Sequence, residues 1–224
     1  MNIMIHACPK REWYVDEYLW PSLIEQGIPP DNIIVWVDRY GRGNLSSCIE
    51  TFTQVSEMPG DTWHLQDDVI VCRDFRDRIM SIPPGLVCGF CVEKYEYYKP
   101  PVTGPTTVWN MWQSSFPCIK IPNWIAKEFV EWFINEGQFR EDLRKYTSTG
   151  KKDDTLFYTF MLEKHAKEPV LNMKPNLVDH IDYLIGGSVI NTTRDFIARA
   201  CYWDDNELIE ELKSKLASRK DLLF

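Results

Sequence analysis

Three segments near the start of the chain constrain its fold more than anything that follows. Residues 2–7 (Asn-Ile-Met-Ile-His-Ala) form an apolar run of strand length. Residues 12–26 carry a helical pattern closed by Gly27 and the prolines Pro29 and Pro30, and residues 33–37 (Ile-Ile-Val-Trp-Val) form a second apolar run. Glycine and proline end a helix because one relaxes the backbone and the other removes a donor. Strand, helix and strand so close together predict a parallel βαβ unit, since parallel strands are joined by a helical crossover.

The alternation continues. Residues 44–56 place Ile49, Phe52 and Val55 at three-residue spacing, which predicts a helix that Pro59-Gly60 breaks. A strand follows, ending in Leu65-Gln66-Asp67-Asp68, then a short helix over 74–80 and a strand over 86–92. Aromatic, proline and turn residues dominate 95–122, which is expected to be a substrate-facing loop region. Helices are expected over 123–135, 154–164 and 204–218, so the strands fall mainly in the first half and the carboxyl half is more helical. No internal repeat or low-complexity segment is present. The chain reads as an α/β protein.

With 224 residues and 44% hydrophobic content, the chain can bury a full core as a single domain spanning 1–224. Its 25 Lys and Arg against 33 Asp and Glu give a net charge of −8, which disfavours nonspecific binding to nucleic acid or an anionic membrane. Lys10 and Arg11 interrupt the apolar start, and no uncharged run approaches the ~20 residues of a membrane span. A cytoplasmic protein without a membrane span is therefore expected. The seven cysteines are an odd, scattered set rather than a disulfide framework. Cys88-Gly89-Phe90-Cys91 has the spacing of a redox or zinc pair, but its strand-like flanks and the lack of a second pair favour packing.

The stretch Trp63-His64-Leu65-Gln66-Asp67-Asp68-Val69-Ile70-Val71 sets two adjacent carboxylates between apolar segments. Buried carboxylates are costly unless a cation pairs with them, which points to a divalent metal and an anionic ligand. In open α/β sheets the ligand crevice lies beyond the carboxyl ends of the parallel strands. Those ends carry Cys8-Pro9-Lys10-Arg11, then the run from Asp38 to Asn44, then Gln66-Asp67-Asp68. A nucleotide-diphosphate sugar suits such a crevice, because a carboxylate such as Asp38 matches base or ribose donors while a metal or guanidinium offsets the diphosphate.

The early Pro9-Lys10-Arg11, Asp38 after the second strand, Leu65-Gln66-Asp67-Asp68-Val69 and the late run Pro175-Asn176-Leu177-Val178-Asp179-His180-Ile181 together resemble glycosyltransferases of the GT-A fold, over most of residues 1–190. Through His180 to Ser188 the chain is also similar to small glycosyltransferase-like proteins of bacteriophages. The resemblance implies a GT-A-like open mixed sheet flanked by helices. Residues 1–92 would be the nucleotide-sugar half, 93–190 the acceptor side and 191–224 a helical segment. It also implies a hexosyltransferase activity with Mn2+ or Mg2+. Asp68 would be the main metal ligand and His180 the distal one, with Asp67 near the ribose or the metal. Pro9, Arg11, Asp38, Asn44, Gly186 and Gly187 would contact the nucleotide sugar. The motif here is Gln-Asp-Asp, where the family commonly has a spaced Asp-x-Asp.

A second acidic pair, Asp153-Asp154, stands where a helix begins and can cap exposed amides. The resemblance makes Asp154, then Asp153, the candidate base that takes the acceptor hydroxyl's proton in an inverting reaction. Trp109, Trp112 and Phe116 can form an aromatic platform or pack in the core. Arg140, Arg144, Lys145, Lys151 and Lys152 form the notable basic cluster. With the phage resemblance, that cluster brings in hydroxymethylated DNA as an acceptor beside a glycan, the chain then working in the host cytoplasm. A sugar-1-phosphate nucleotidyltransferase is the alternative enzyme, although Ala7-Cys8-Pro9-Lys10 lacks the glycine of a phosphate loop. A non-catalytic binding protein on the same fold is the third reading.

Overall fold

A computed structural model describes residues 1–90, 103–108, 116–147, 153–181 and 206–218. The βαβ start is present. Strand β1 (Asn2–Ala7) leads into the helical run α1, made of a 3-10 turn (Pro9–Arg11), an α turn (Glu12–Tyr14), a π segment (Val15–Leu19) and an α segment (Trp20–Glu25). The π segment ends two residues before Pro21, where the helical ladder lacks a donor. Strand β2 (Ile33–Val37) returns parallel to β1. Then come α2 (Asn44–Glu57), β3 (Asp61–Gln66), β4 (Val69–Val71), α3 (Phe75–Met80) and β5 (Leu86–Cys88).

The remaining elements are β6 (Gly104–Thr106), β7 (Cys118–Pro122), α4 (Asn123–Asn135), α5 (Arg144–Thr147), α6 (Asp153–Lys164), β8 (Val170–Asn172), β9 (Val178–His180) and α7 (Asn206–Ser218). Seven strands form one mixed sheet in the order β2-β1-β3-β7-β5-β8-β6, and β4 pairs with β9 in a separate two-stranded ribbon. Helices flank the large sheet, an α/β arrangement compatible with a Rossmann-like fold. Among the described residues no helix is long and apolar enough to cross a membrane.

Alternating side chains of β1 feed two cores. Ile3, Ile5 and Ala7 join Tyr14, Val15 and Leu19 of α1, the β4–β9 ribbon and Leu212 of α7. Met4 joins Leu45, Cys48 and Phe52 of α2, Phe129 of α4 and Phe157 of α6. The two clusters cover opposite faces of the sheet. Helix α7 therefore packs on this chain, with Leu212 in its core and the Lys215 ammonium 5.2 Å from the Tyr18 ring centroid.

Three sequence expectations are corrected. Region 95–122 is not wholly loop: β7 is a central strand with all five residues buried, antiparallel to both β3 and β5. A lysine in its middle hides it from a hydrophobicity pattern. Lys120 is 5% exposed, and its ammonium reaches the Pro83 carbonyl and lies 3.5 Å from Asp61, while burial pushes its pKa down. The carboxyl half also supplies β8 and β9, each three residues long and too short for periodicity to register. Strand β5 stops at Cys88, earlier than the expected end at 92.

Gly89 explains that stop. A Cβ there would lie 2.5 Å from the Cys118 sulfur, so only glycine lets β5 and β7 approach this closely. Its carbonyl accepts from the Leu177 amide at 2.7 Å, which steers the chain into β9. Cys88, Cys118 and Cys72 are buried in the cores, consistent with the packing reading of the Cys88 motif, whose Cys91 lies outside the described residues.

Candidate functional site

The chain runs from β1 outward to β2 and then crosses to the other side of β1 at β3. That reversal opens a crevice between the loops after β1 and β3. The Cys8 amide spans it, donating to Asp67 Oδ2 at 2.6 Å, while the Asp67 amide donates to the His6 carbonyl at 3.1 Å.

Asp67 and Asp68 are the turn between β3 and β4, both nearly inaccessible at 4% and 6% exposure. Arg11, from the 3-10 turn after β1, reaches both. Its Nε is 3.2 Å from Asp67 Oδ1, and its Nη1 is paired with Asp68 Oδ2. A guanidinium whose side chain is only 13% exposed thus neutralises two buried carboxylates. Burial pushes the Asp67 carboxyl up to about 6 and Asp68 adds to the rise, while Arg11 and the Cys8 amide work against it. The Arg11 guanidinium is held charged by the same two aspartates.

His180 arrives from far along the chain. It is the last residue of β9 and pairs with Val69 across the ribbon, and the Ile181 amide closes the ladder on the Asp68 carbonyl at 2.8 Å. This register sets His180 Nε2 3.3 Å from Asp68 Oδ2, the oxygen that Arg11 also touches. The Phe90 ring lies 6.3 Å from the imidazole, centroid to centroid. Arg78 of α3 fastens the approach to β9 by donating to the Pro175 carbonyl and, at 3.1 Å, to the Asn176 carbonyl. Tyr14 donates to the Val69 carbonyl at 3.0 Å from below.

The structure therefore brings together Arg11, Asp67, Asp68 and His180. Other candidates sit elsewhere. Asp38 is buried after β2, where its carboxylate accepts from the amides of Arg42 at 3.1 Å and Gly43 at 3.0 Å and so closes its own loop. Gly43, at φ +89°, adopts the left-handed conformation that this closure needs. Asn44 opens α2 behind it, and Pro9 is exposed at the start of the 3-10 turn. Asp153 and Asp154 begin α6 near Cys48 of α2, the helix that follows the Asp38 loop, and their charge adds to the burial that raises the Cys48 thiol. Asp154 Oδ1 accepts from the Thr155 amide at 2.7 Å, a capping contact.

Phe116 packs in the second core. Arg140 is paired with Asp142 and Glu163, and Arg144 with Glu141. Gly186, Gly187, Trp109, Trp112, Lys151 and Lys152 lie outside the described residues.

Sequence reasoning missed the Cys8 amide, Tyr14 and Arg78, because backbone donors and carbonyl anchors leave no pattern in side-chain identity. It also missed His6, whose Nε2 lies 2.7 Å from Ser47 Oγ beside the crevice and which burial pushes down to about 4.

As a donor set, Asp68 and His180 offer one oxygen and one nitrogen on adjacent backbone positions, and Asp67 offers further oxygens. Among the described residues no group of three or more His, Cys, Asp or Glu side chains is arranged to hold a metal by itself. Two protein ligands suit a Mn2+ or Mg2+ ion that takes its other ligands from phosphate and water. Compared with family models and with curated proteins, the chain matches none.

Proposed function

We propose that this chain is a glycosyltransferase of the GT-A type that moves a sugar from a nucleotide-diphosphate donor to a hydroxyl acceptor with the help of Mn2+ or Mg2+. The observation that carries the reading is the meeting of Asp68 and His180 at 3.3 Å beside Arg11, at the carboxyl edge of the parallel strands. Residues so distant in sequence converge where open α/β sheets bind nucleotides.

Asp68 and His180 would hold the cation. When bound, the cation supplies positive charge to the departing diphosphate. Arg11 offers a planar guanidinium suited to phosphate oxygens, and the exposed turn of Pro9 and Lys10 borders the same crevice. The loop that Asp38 closes is preorganised at the carboxyl end of β2, next to β1. Asp154 is the proposed base. Its half-buried carboxylate would take the acceptor hydroxyl's proton as that oxygen attacks the sugar carbon. The charge compensation of Arg140 and Arg144 favours a glycan hydroxyl over hydroxymethylated DNA as acceptor.

A thermal-shift panel of nucleotide sugars with manganese tests the donor, because a ligand that binds only the folded state raises its melting temperature. Hydrolysis and transfer assays follow with the donor that shifts Tm, on glycan and on hydroxymethylated duplex. One donor is expected to raise Tm only with manganese and to be turned over. A panel with no shift, together with no manganese-dependent hydrolysis, removes the proposal.

A further inference from the structure

We propose that Arg11 is a resident cation that occupies the Asp67-Asp68 pair and must be displaced before a divalent metal can bind, so that the metal binds well only together with an anionic diphosphate that receives the released guanidinium. This rests on the reading of Asp68 and His180 as metal ligands.

The argument begins with one oxygen. Asp68 Oδ2 faces His180 Nε2 at 3.3 Å and is also the atom that Arg11 Nη1 contacts. Because Oδ2 is the Asp68 oxygen that faces His180, a divalent ion held by both residues would compete with the guanidinium for it. Two cations sharing it in a poorly solvated site repel each other strongly. Arg11 also holds Asp67 through Nε at 3.2 Å, so the guanidinium blocks both carboxylates at once.

Displacement is feasible because of the element that carries Arg11. The turn Pro9–Arg11 buries none of its three residues, and Pro9 and Lys10 are exposed. Only the side chain of Arg11 is committed to the interior, and it enters from the crevice mouth. Freed from the aspartates, it remains at the carboxyl edge of β1, where a diphosphate offers the paired oxygens that a guanidinium grips in a fork. A metal alone thus meets competition, while a metal accompanied by diphosphate gives Arg11 a new partner.

The test is manganese binding, read by calorimetry and by the paramagnetic resonance of free Mn2+, on the full chain with and without inorganic pyrophosphate. Arg11→Gln is expected to bind Mn2+ alone at least tenfold more tightly than the wild type and to lose most of the gain that pyrophosphate gives the wild type. Arg11→Lys, which keeps the charge, stays near the wild type for Mn2+ alone.

If circular dichroism shows that Arg11→Gln does not fold, the charge-balanced pair decides: Asp67→Asn with Arg11→Gln binds Mn2+ at least tenfold more tightly than Asp67→Asn alone. Mn2+ binding that Asp68→Asn abolishes but that removal of Arg11 does not strengthen overturns the displacement while leaving the metal site standing. Mn2+ binding that is absent, or indifferent to Asp68→Asn, in both backgrounds overturns the metal site and the displacement with it.

Discussion

Asp68 and His180 face each other because Val69 pairs with His180 across the β4–β9 ribbon, so the contact is set by strand register and not by a flexible loop. A one-residue slip of β9 would turn the imidazole to the other side of the ribbon. Replacing either side chain should therefore remove chemistry and leave the scaffold. Asp68→Ala leaves Arg11 paired with Asp67, so a cooperative transition with a Tm a few degrees lower is expected, about 1–3 kcal/mol of lost stability. Manganese-dependent turnover of the donor sugar should fall at least about a hundredfold in Asp68→Ala and in His180→Ala. Retention of metal-dependent turnover in Asp68→Ala sinks the site.

Asp154 has two separable roles. Its Oδ1 caps the Thr155 amide, and an asparagine supplies an oxygen in the same place. Asp154→Asn is expected to unfold within a degree or two of the wild type while turnover falls roughly 10²–10⁴-fold, the usual contribution of a positioned base. Unchanged turnover shows that the carboxylate is a cap only.

The parts of the fold legible in the sequence are those whose signal is local. Strand β1, helices α2 and α4 and the start of α6 follow from apolar spacing and from breakers such as Pro59-Gly60. Strand β7 was hidden because Lys120 is tolerated in the core only through Asp61 and the Pro83 carbonyl, partners from another part of the chain. At the site, the carboxylate pair and His180 were legible as residue types, and their meeting was expected from the resemblance. The grip of Arg11 on both aspartates was not, since an ion pair formed across the crevice depends on how β1 and β3 are juxtaposed. Asp38 shows the converse. A carboxylate at a strand end suggested a ligand, and here it satisfies the amides of Arg42 and Gly43.

Gly89→Ala tests the close approach that guides β9. The added methyl would stand 2.5 Å from Cys118 Sγ, 3.1 Å from Leu177 Cδ1 and 3.2 Å from the Cys118 carbonyl oxygen. Overpacking of this kind costs about 1–3 kcal/mol, so Tm should drop by roughly 2–10 °C. Combining it with Cys118→Ala removes the nearest atom and should recover more than half of the loss. A single variant as stable as the wild type contradicts the packing described.

His64 predicts how the fold responds to acid. It lies fully buried in β3 against His6, Phe52 and Phe116. Burial, then the neighbouring His6, pushes its pKa down to about 3, against a hydrogen bond with the Phe116 backbone. An unfolded chain binds the proton near pH 6.5 and the folded chain does not, so between these values the unfolded state holds the extra proton. Stability from this residue is complete above the unfolded pKa and declines as pH falls toward 3, by about 1.4 kcal/mol per pH unit. His6, pushed down to about 4, acts in the same direction. Urea unfolding at pH 7 and pH 5 should show a marked loss for the wild type. His64→Leu, which places an apolar group among the same rings, should lose about 2 kcal/mol less over that interval. Equal losses in the two proteins mean that His64 does not stay neutral in the folded chain.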